Sequence, residues 1–333
     1  MTKTFSCKLL NSPYNDPVMM LEFTRKQRLF LFDIGDLSTL PQRLLQKISH
    51  VFISHMHIDH FFGFDTLLRS ILSREEPLNV YGPIGIIDAV QGKLSGYTWN
   101  LVKSYPIKIE VFEITNTSIT SAGFYAQEGF QKISKGNQPF SGIIYSESDF
   151  RINASIFDHQ IPVLGFSIVS DINININKTK MIELGFNNPG PWINELKDKI
   201  RANDLLYKLI IDGREYSIND LKDMVIVSKG QKIVYITDIA PSKENIDTAI
   251  TLASDADILF IEAYFLEQDS DHAAKKGHIT ARLAGYIAGM AVVKNIEITH
   301  ISKKYIDMEK VVKDEVNTGF TLAATVNLTY VKD

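Results

Sequence analysis

Short apolar runs that end in one polar residue recur along this chain. Residues 29–32 read Leu-Phe-Leu-Phe and stop at Asp33-Ile34-Gly35, Val51-Phe52-Ile53 runs into Ser54-His55, and 78–81 is closed by Gly82-Pro83. Such runs suit strands buried on both faces. Between them the spacing turns helical. Leu67, Leu68, Ile71 and Leu72 share one face of a helix opening at Asp59, and a second helix is expected over 84–94. The design repeats downstream: 155–157 leads into Asp158-His159 and an apolar stretch to Phe166, 232–236 delivers Thr237-Asp238, 257–261 ends at Glu262, and 296–299 delivers His300. Leu283, Ala284, Ile287 and Ala288 form a helical face just after His278. The Ile/Asn alternation from Asp171 to Asn177 fits an exposed strand or part of a mobile arm. Strand, loop and helix in alternation predict an α/β fold, with 1–333 as a single domain.

Composition narrows the class. With 45% hydrophobic and 22% charged residues the chain reads as an ordinary soluble globular protein. No apolar run approaches the roughly 18 residues of a membrane span, and Met1-Thr2-Lys3-Thr4-Phe5-Ser6 lacks the apolar stretch of a secretory signal. Cys7 is the only cysteine, which excludes an intrachain disulfide and a cysteine zinc site and points to the reducing cytoplasm. A net charge of -4 gives no support to a broad nucleic-acid surface. A local patch, or cations bound in a cleft, would still attract phosphates.

The densest chemistry is Ser54-His55-Met56-His57-Ile58-Asp59-His60. Imidazole nitrogen and carboxylate oxygen suit a borderline divalent ion such as zinc, and manganese or iron accept the same donors. In an extended segment His55 and His57 project to one side, leaving Asp59 and His60 for a second ion. A solvated polar loop, or histidines capping the next helix, is the ordinary alternative. The His-x-His-x-Asp-His pattern after an apolar strand resembles the signature of the metallo-β-lactamase-fold hydrolases. That resemblance implies an αββα sandwich with the metals at one edge of its sheets. Strand-tip residues then complete two shells: His55, His57, His159 and Asp238 for one Zn2+, and Asp59, His60, His300 and Asp238 for the other. Two such ions about 4 Å apart lower the pKa of a shared water and clamp the entering and leaving oxygens of a displacement.

A leaving alkoxide also needs a proton. His278, in Gly277-His278-Ile279-Thr280-Ala281, is a candidate donor, and Glu262 a candidate partner that keeps it protonated and oriented. The equal alternative is that His278 caps its helix and Glu262 is a solvated strand end. Here a closer resemblance enters. From 257 to 305 the chain looks like ribonuclease Z, the endonuclease that removes the 3′ trailer from precursor tRNA. Ile261-Glu262-Ala263-Tyr264-Phe265 stands where that family has His-Glu-Ala-Thr-Phe. Gly277-His278-Ile279-Thr280-Ala281 stands for Gly-His-Ser-Thr-Ala, and Thr299-His300-Ile301-Ser302-Lys303-Lys304-Tyr305 for Thr-His-Phe-Ser-x-Arg-Tyr. Asp158-His159-Gln160-Ile161-Pro162 resembles the family's third motif. The resemblance implies that His278 protonates the leaving 3′ oxygen and Glu262 orients it, with Asp59 counted beside them as catalytic. It also implies cleavage after the discriminator nucleotide by a homodimer in which one subunit's arm serves the other's site.

An insertion at about 168–205 corresponds to that arm. Gly190-Pro191-Trp192, with Lys197 following Leu196, resembles the segment that grips the tRNA elbow. The chain departs from the family at Asp33-Ile34-Gly35-Asp36-Leu37-Ser38-Thr39, where Asp-x-Gly-Glu-Gly-Thr-Gln is usual. It also lacks the Gly-rich turn at Asn11-Ser12-Pro13-Tyr14-Asn15 and the Pro-Arg-Lys segment before 232. From Asp171 to Lys232 there are ten Lys and Arg against nine Asp and Glu, where a grip on an RNA backbone favours a basic surface. The leading expectation is a dinuclear zinc endonuclease acting on precursor tRNA. The second is a phosphodiesterase for a small, cyclic-nucleotide-type substrate. A binding module without activity has no need of so full a ligand set.

Overall fold

A computed structural model describes residues 5–24 and 26–330; residues 1–4, part of the segment read as lacking a secretory signal, lie outside the described residues. The chain divides into two compact units, one formed by the described residues up to Val169 together with those from Lys232 onward, the other by Ser170–Gln231.

The first unit carries two sheets. One has eight strands in chain order from Phe5–Leu9 to Lys132–Pro139. Its middle strands Leu29–Phe32, Ile48–Phe52, Leu78–Pro83 and Lys108–Ile114 run parallel. The other sheet orders Ile296–Thr299, Ile258–Glu262, Lys232–Ile236, Pro162–Ser170, Phe150–Asp158 and Ile143–Ser146, the first three being parallel. Parallel neighbours need crossover connections, and helices supply them: Phe64–Ile71 and Ile86–Ser95 for the first sheet, Lys243–Ala253 and Ala281–Met290 for the second.

Alternation along the strands builds the layers. Phe30, Phe32 and Phe52 share an inner core with Phe166, Tyr235 and Phe260 of the opposite sheet. Phe32 stacks on Phe52 with ring centroids 4.8 Å apart and meets Phe166 edge-on at 5.4 Å. The intervening Leu29, Leu31, Val51 and Ile53 pack outward under the first pair of helices with Phe64, Leu67 and Ile71. Val234, Ile236, Leu259 and Ile261 do the same under the second pair with Ala249, Ala284 and Ile287. Burial on both faces explains why these strands read as unbroken apolar runs. The layering is the αββα sandwich that the resemblance implied.

The structure differs from the expected helices in two places. The helix from Asp59 to Leu72 is two helices, Ile58–Phe61 and Phe64–Ile71. The break falls at Gly63, where a Cβ would lie 2.7 Å from Leu37 Cγ and 2.8 Å from Gly35 O. Only a residue without a side chain allows the metal-motif loop and the 34–37 loop to approach this closely. The helix expected over 84–94 runs from Ile86 to Ser95. A long helix not read from the sequence, Glu309–Tyr330, crosses Ala281–Met290 at backbone contact.

The second unit has its own core of Met181, Phe186, Leu196, Leu209, Ile211, Ile218, Leu221 and Met224. The 171–177 alternation becomes the strand Asn173–Ile176, paired antiparallel with Val225–Ser228. Lys208–Ile211 and Arg214–Ser217 form a hairpin. The unit therefore continues past the 168–205 expected for the arm, because the chain beyond 205 supplies most of its core. Among the described residues no helix is long and apolar enough to cross a membrane.

The helix crossing yields a stability prediction. A Cβ on Gly319 would sit 1.9 Å from Arg282 O, and one on Gly285 would sit 1.9 Å from Val316 O. A glycine-to-alanine change inside a helix normally stabilises by about 1 kcal/mol. Here the clash wins, and Gly319→Ala should destabilise the protein by about 1–3 kcal/mol in urea denaturation. A gain in midpoint would show that the two helices do not cross at this position.

Candidate active site

The parallel strands of both sheets end at one edge of the first unit, as sites on parallel sheets commonly require. Three of the polar tips adopt left-handed backbone conformations: Asp33, Asp238 and His300 have φ of 54°, 52° and 50°. Asp and His are among the few non-glycine residues that tolerate this region. The turn lifts each side chain off its strand and toward the space between the sheets.

The expected ligands converge there. Donor atoms of His55, His57 and His159 form one group, and those of Asp59, His60 and His300 another. Asp238 lies between the groups, in common range of His55 and His60 on one side and of Glu262, His278 and His300 on the other. Its Oδ2 is 2.9 Å from His60 Nε2 and its Oδ1 is 3.0 Å from His300 Nδ1. Asp59 Oδ2 reaches His300 Nε2 at 3.3 Å and His60 Nε2 at 3.5 Å. His55 and His60 are wholly buried, whereas His57 is exposed.

Outer partners fix the rings. His159 Nδ1 donates to Gly277 O at 2.6 Å, which turns Nε2 toward His55 and His57. Gly277 has φ of 75°, and a Cβ there would meet His159 Nδ1 at 2.9 Å, so glycine is required for both reasons. His60 Nδ1 donates to Asp33 Oδ2 at 2.8 Å. Asp33 is itself held by Ser54 N at 2.7 Å, Ser54 Oγ at 2.9 Å and Tyr235 OH at 2.8 Å. A carboxylate behind a ligating imidazole sets its tautomer and raises its basicity. Asp33 was not among the residues singled out in the sequence. The available signal was the strand end Asp33-Ile34-Gly35, noted only for its departure from a family motif.

The electrostatics favour a cation. Burial, reinforced by His60, depresses His55 to about 2, and burial also lowers His57. Burial opposes the charged forms of His60 and His300 as well. Asp238 and Asp33 nevertheless raise His60 well above the usual imidazole range, and Asp238 with Asp59 lifts His300 to about 9. Burial alone would raise Asp238 and Asp59, yet His300 and His60 hold both carboxyls well below their ordinary range. In the metal-free chain, protons on two imidazoles balance the carboxylates. Among the described residues His55 Nε2 is buried without a hydrogen bond, and His60 Nε2 and His300 Nδ1 face the two oxygens of Asp238. Imidazole nitrogens and carboxylate oxygens grouped within reach of one another are what divalent ions require.

Beside this cluster stands a carboxylate–imidazole pair. Glu262, wholly buried, takes the Nδ1 proton of His278 at 2.8 Å, and its other oxygen accepts Ile239 N at 2.7 Å. His278 Nδ1 also lies 3.3 Å from Asp238 Oδ1. Glu262 is thus no solvated strand end. The helix after His278 is capped by Thr280, whose side chain accepts from Leu283 N. The other two histidines stay outside: His50 is buried against Phe30 and Tyr145, and His272 is exposed on Ser270–Lys276.

In the second unit, Pro191 precedes the helix Trp192–Arg201, which carries Lys197 half-buried. Trp192 packs on Phe186 at 5.3 Å, and a Cβ on Gly190 would meet Trp192 Cδ1 at 2.8 Å. Gly190 and Trp192 therefore help build the segment itself.

No family model matches the chain. Ribonuclease BN of Proteus mirabilis is 30% identical over 300 residues, covering 87% of this chain and 85% of that protein. Ribonuclease Z of Bacillus cereus is 30% identical over 284 residues, covering 83% and 79%. The Deinococcus radiodurans ribonuclease Z is 25% identical over 307 residues, covering 90% and 91%. Among solved structures, the short form of human tRNase Z superposes with a TM-score of 0.51 at 20% identity over 86% of each chain. A metallo-β-lactamase-fold protein of Bacillus subtilis gives 0.50 at 16% identity, covering 91% of this chain and 84% of its own. These two likenesses establish the fold, and the sequence relatives carry the family. The chain belongs to the ribonuclease Z family and is a metal-dependent endoribonuclease of the metallo-β-lactamase fold.

Proposed function

We propose that this enzyme removes the 3′ trailer from precursor tRNA with two zinc ions, cutting after the discriminator nucleotide. It would work as a cytoplasmic homodimer, the arm segment with Gly190, Pro191, Trp192 and Lys197 gripping the tRNA. The observation that carries the reading is the buried Glu262–His278 pair, with His278 Nδ1 3.3 Å from Asp238. It supports an acid placed beside, and outside, the candidate ligands His55, His57, Asp59, His60, His159, Asp238 and His300.

Divalent ions held by those residues supply Lewis acidity and lower the pKa of water, the chemistry that phosphodiester displacement needs at neutral pH. The chain's own part is positioning and proton transfer. Glu262 accepts Nδ1–H, so Nε2 is the nitrogen left to act on substrate. As a P–O bond to hydroxide forms and the P–O3′ bond breaks, His278 gives its proton to the departing 3′ oxygen. Ile239 N holds the second Glu262 oxygen, which keeps the carboxylate from rotating away from His278. A general acid of this kind is worth about 100- to 10,000-fold in rate.

A second reading, hydrolysis of a small phosphodiester, draws on the arm's nearly balanced charge of ten basic and nine acidic residues over 171–232. One experiment separates the two. Zinc-loaded protein is incubated with tRNA bearing a 3′ trailer and the product ends are mapped. The expected result is one cut after the discriminator, abolished by chelation. No cut, with metal-dependent hydrolysis of a chromogenic diester, would replace the tRNA reading with the second. In the same assay His278→Ala should retain its metal while RNA turnover falls about 100-fold or more; unchanged cleavage would remove His278 from the mechanism.

Metal uptake should also move protons. Asp238 and Asp59 push His300 up to about 9 and Asp238 with Asp33 raises His60 well above the usual imidazole range, so both should carry a proton at pH 7 in the chelated protein. Zinc binding should then release about two protons, and apparent affinity should weaken by about 100-fold per unit as pH falls. Calorimetry in buffers of different ionisation enthalpy measures the number released. A value near zero would mean that His60 and His300 carry no proton before the metal binds, or are not ligands.

A further inference from the structure

His278 has two acceptors for one proton. Nδ1 lies 2.8 Å from Glu262 Oε2 and 3.3 Å from Asp238 Oδ1. A single hydrogen bond leaves an imidazole free to pivot about the bonded atom, and a small tilt would trade one carboxylate for the other. Delivered to Asp238, the Nδ1 proton would occupy a candidate metal ligand and leave the ring misdirected.

The ring does not stand alone. Tyr264 lies flat against it, with centroids 4.0 Å apart and planes 8° from parallel. His159 covers the imidazole at 4.7 Å and 57°. The same tyrosine meets His300 at 4.9 Å and 67°. Backbone ties build the stack. Ser302 N donates to Tyr264 O at 3.1 Å, joining it to the loop after His300. Phe265, the next residue, bridges to Thr280, with Ala281 N donating to Phe265 O at 2.8 Å. Tyr264 and His278 are thereby held on two segments bonded to each other.

We propose that Tyr264 is a positioning residue for the proton donor: its ring holds the His278 imidazole in the plane that gives Nδ1–H to Glu262 and keeps it from Asp238. The proposal rests on the reading of this chain as an RNA phosphodiesterase with His278 as acid. Tyr264 acts through ring area and flatness, so its hydroxyl is dispensable for this role.

The test compares Tyr264→Thr, which removes the ring, with Tyr264→Phe, which keeps it. Two substrates are used, trailer-bearing tRNA and bis(p-nitrophenyl) phosphate. The 3′ oxygen is a poor leaving group that needs a proton, whereas p-nitrophenolate leaves without one. Tyr264→Thr should lower kcat on RNA by about tenfold with KM within about twofold, and lower diester turnover by no more than about twofold. Tyr264→Phe should restore RNA turnover. Equal losses on both substrates would mean general damage to the site and overturn the proposal, as would no loss on RNA. If the parent cleaves neither substrate, the phosphodiesterase reading fails, and a second readout still decides the stack. In protein labelled with 15N-histidine, the His278 Nδ1–H should give one strongly hydrogen-bonded resonance in the parent and in Tyr264→Phe, and a shifted or doubled one in Tyr264→Thr. Identical shifts in all three would overturn the positioning role.

Discussion

Three carboxylates, Asp33, Asp238 and Glu262, are buried together at the strand ends, and none of the ion pairs described for them involves lysine or arginine. Burying a carboxylate is costly unless it is bonded and balanced. The fold meets that constraint with imidazoles: Asp33 binds His60, Glu262 binds His278, and Asp238 faces His60, His278 and His300. Everything else at this edge follows from keeping those pairs in register. The left-handed strand tips set the side chains, Gly63 and Gly277 let the loops close on them, and Tyr235 reaches across the sandwich to Asp33.

The same constraint explains how much of the site was legible in the chain. His55, His57, Asp59 and His60 lie within six consecutive residues and need only local geometry to stand out. Asp238 and His300 were readable because each ends a short apolar run, and a buried strand with a polar tip is an expensive arrangement without a use. Asp33 ends just such a run, yet its role depends on Ser54, His60 and a tyrosine 202 positions away. No window of sequence contains that relation. Tyr264 is similar, since nothing in Glu262-Ala263-Tyr264-Phe265 shows that the ring lies flat on a histidine fourteen residues later.

The fold divides along the same line. Strands buried on both faces produce a strong local signal, and the α/β alternation followed from it, while the αββα sandwich came from the resemblance. Weaker features depended on contacts. The break at Gly63 comes from packing on Leu37 and Gly35, against a helical pattern that continues through it. The helix Glu309–Tyr330 docks through glycines at backbone distance, so it shows no broad apolar stripe to announce it. The second unit extends to Gln231 because Leu209, Ile218 and Met224 complete its core, and no change of composition marks that limit.

The span between Asp59 and the last candidate ligand has a consequence in time. Asp59 and His300 meet across 241 positions of chain. At about 5–20 residues per second of synthesis, roughly 12–48 s pass between the emergence of the one and that of the other. The His-x-His-x-Asp-His segment alone offers a loose, incomplete set of donors during that interval. A growing chain therefore cannot close its hydrolytic centre on the ribosome, where RNA is everywhere at hand, until its last parallel strand has been laid down.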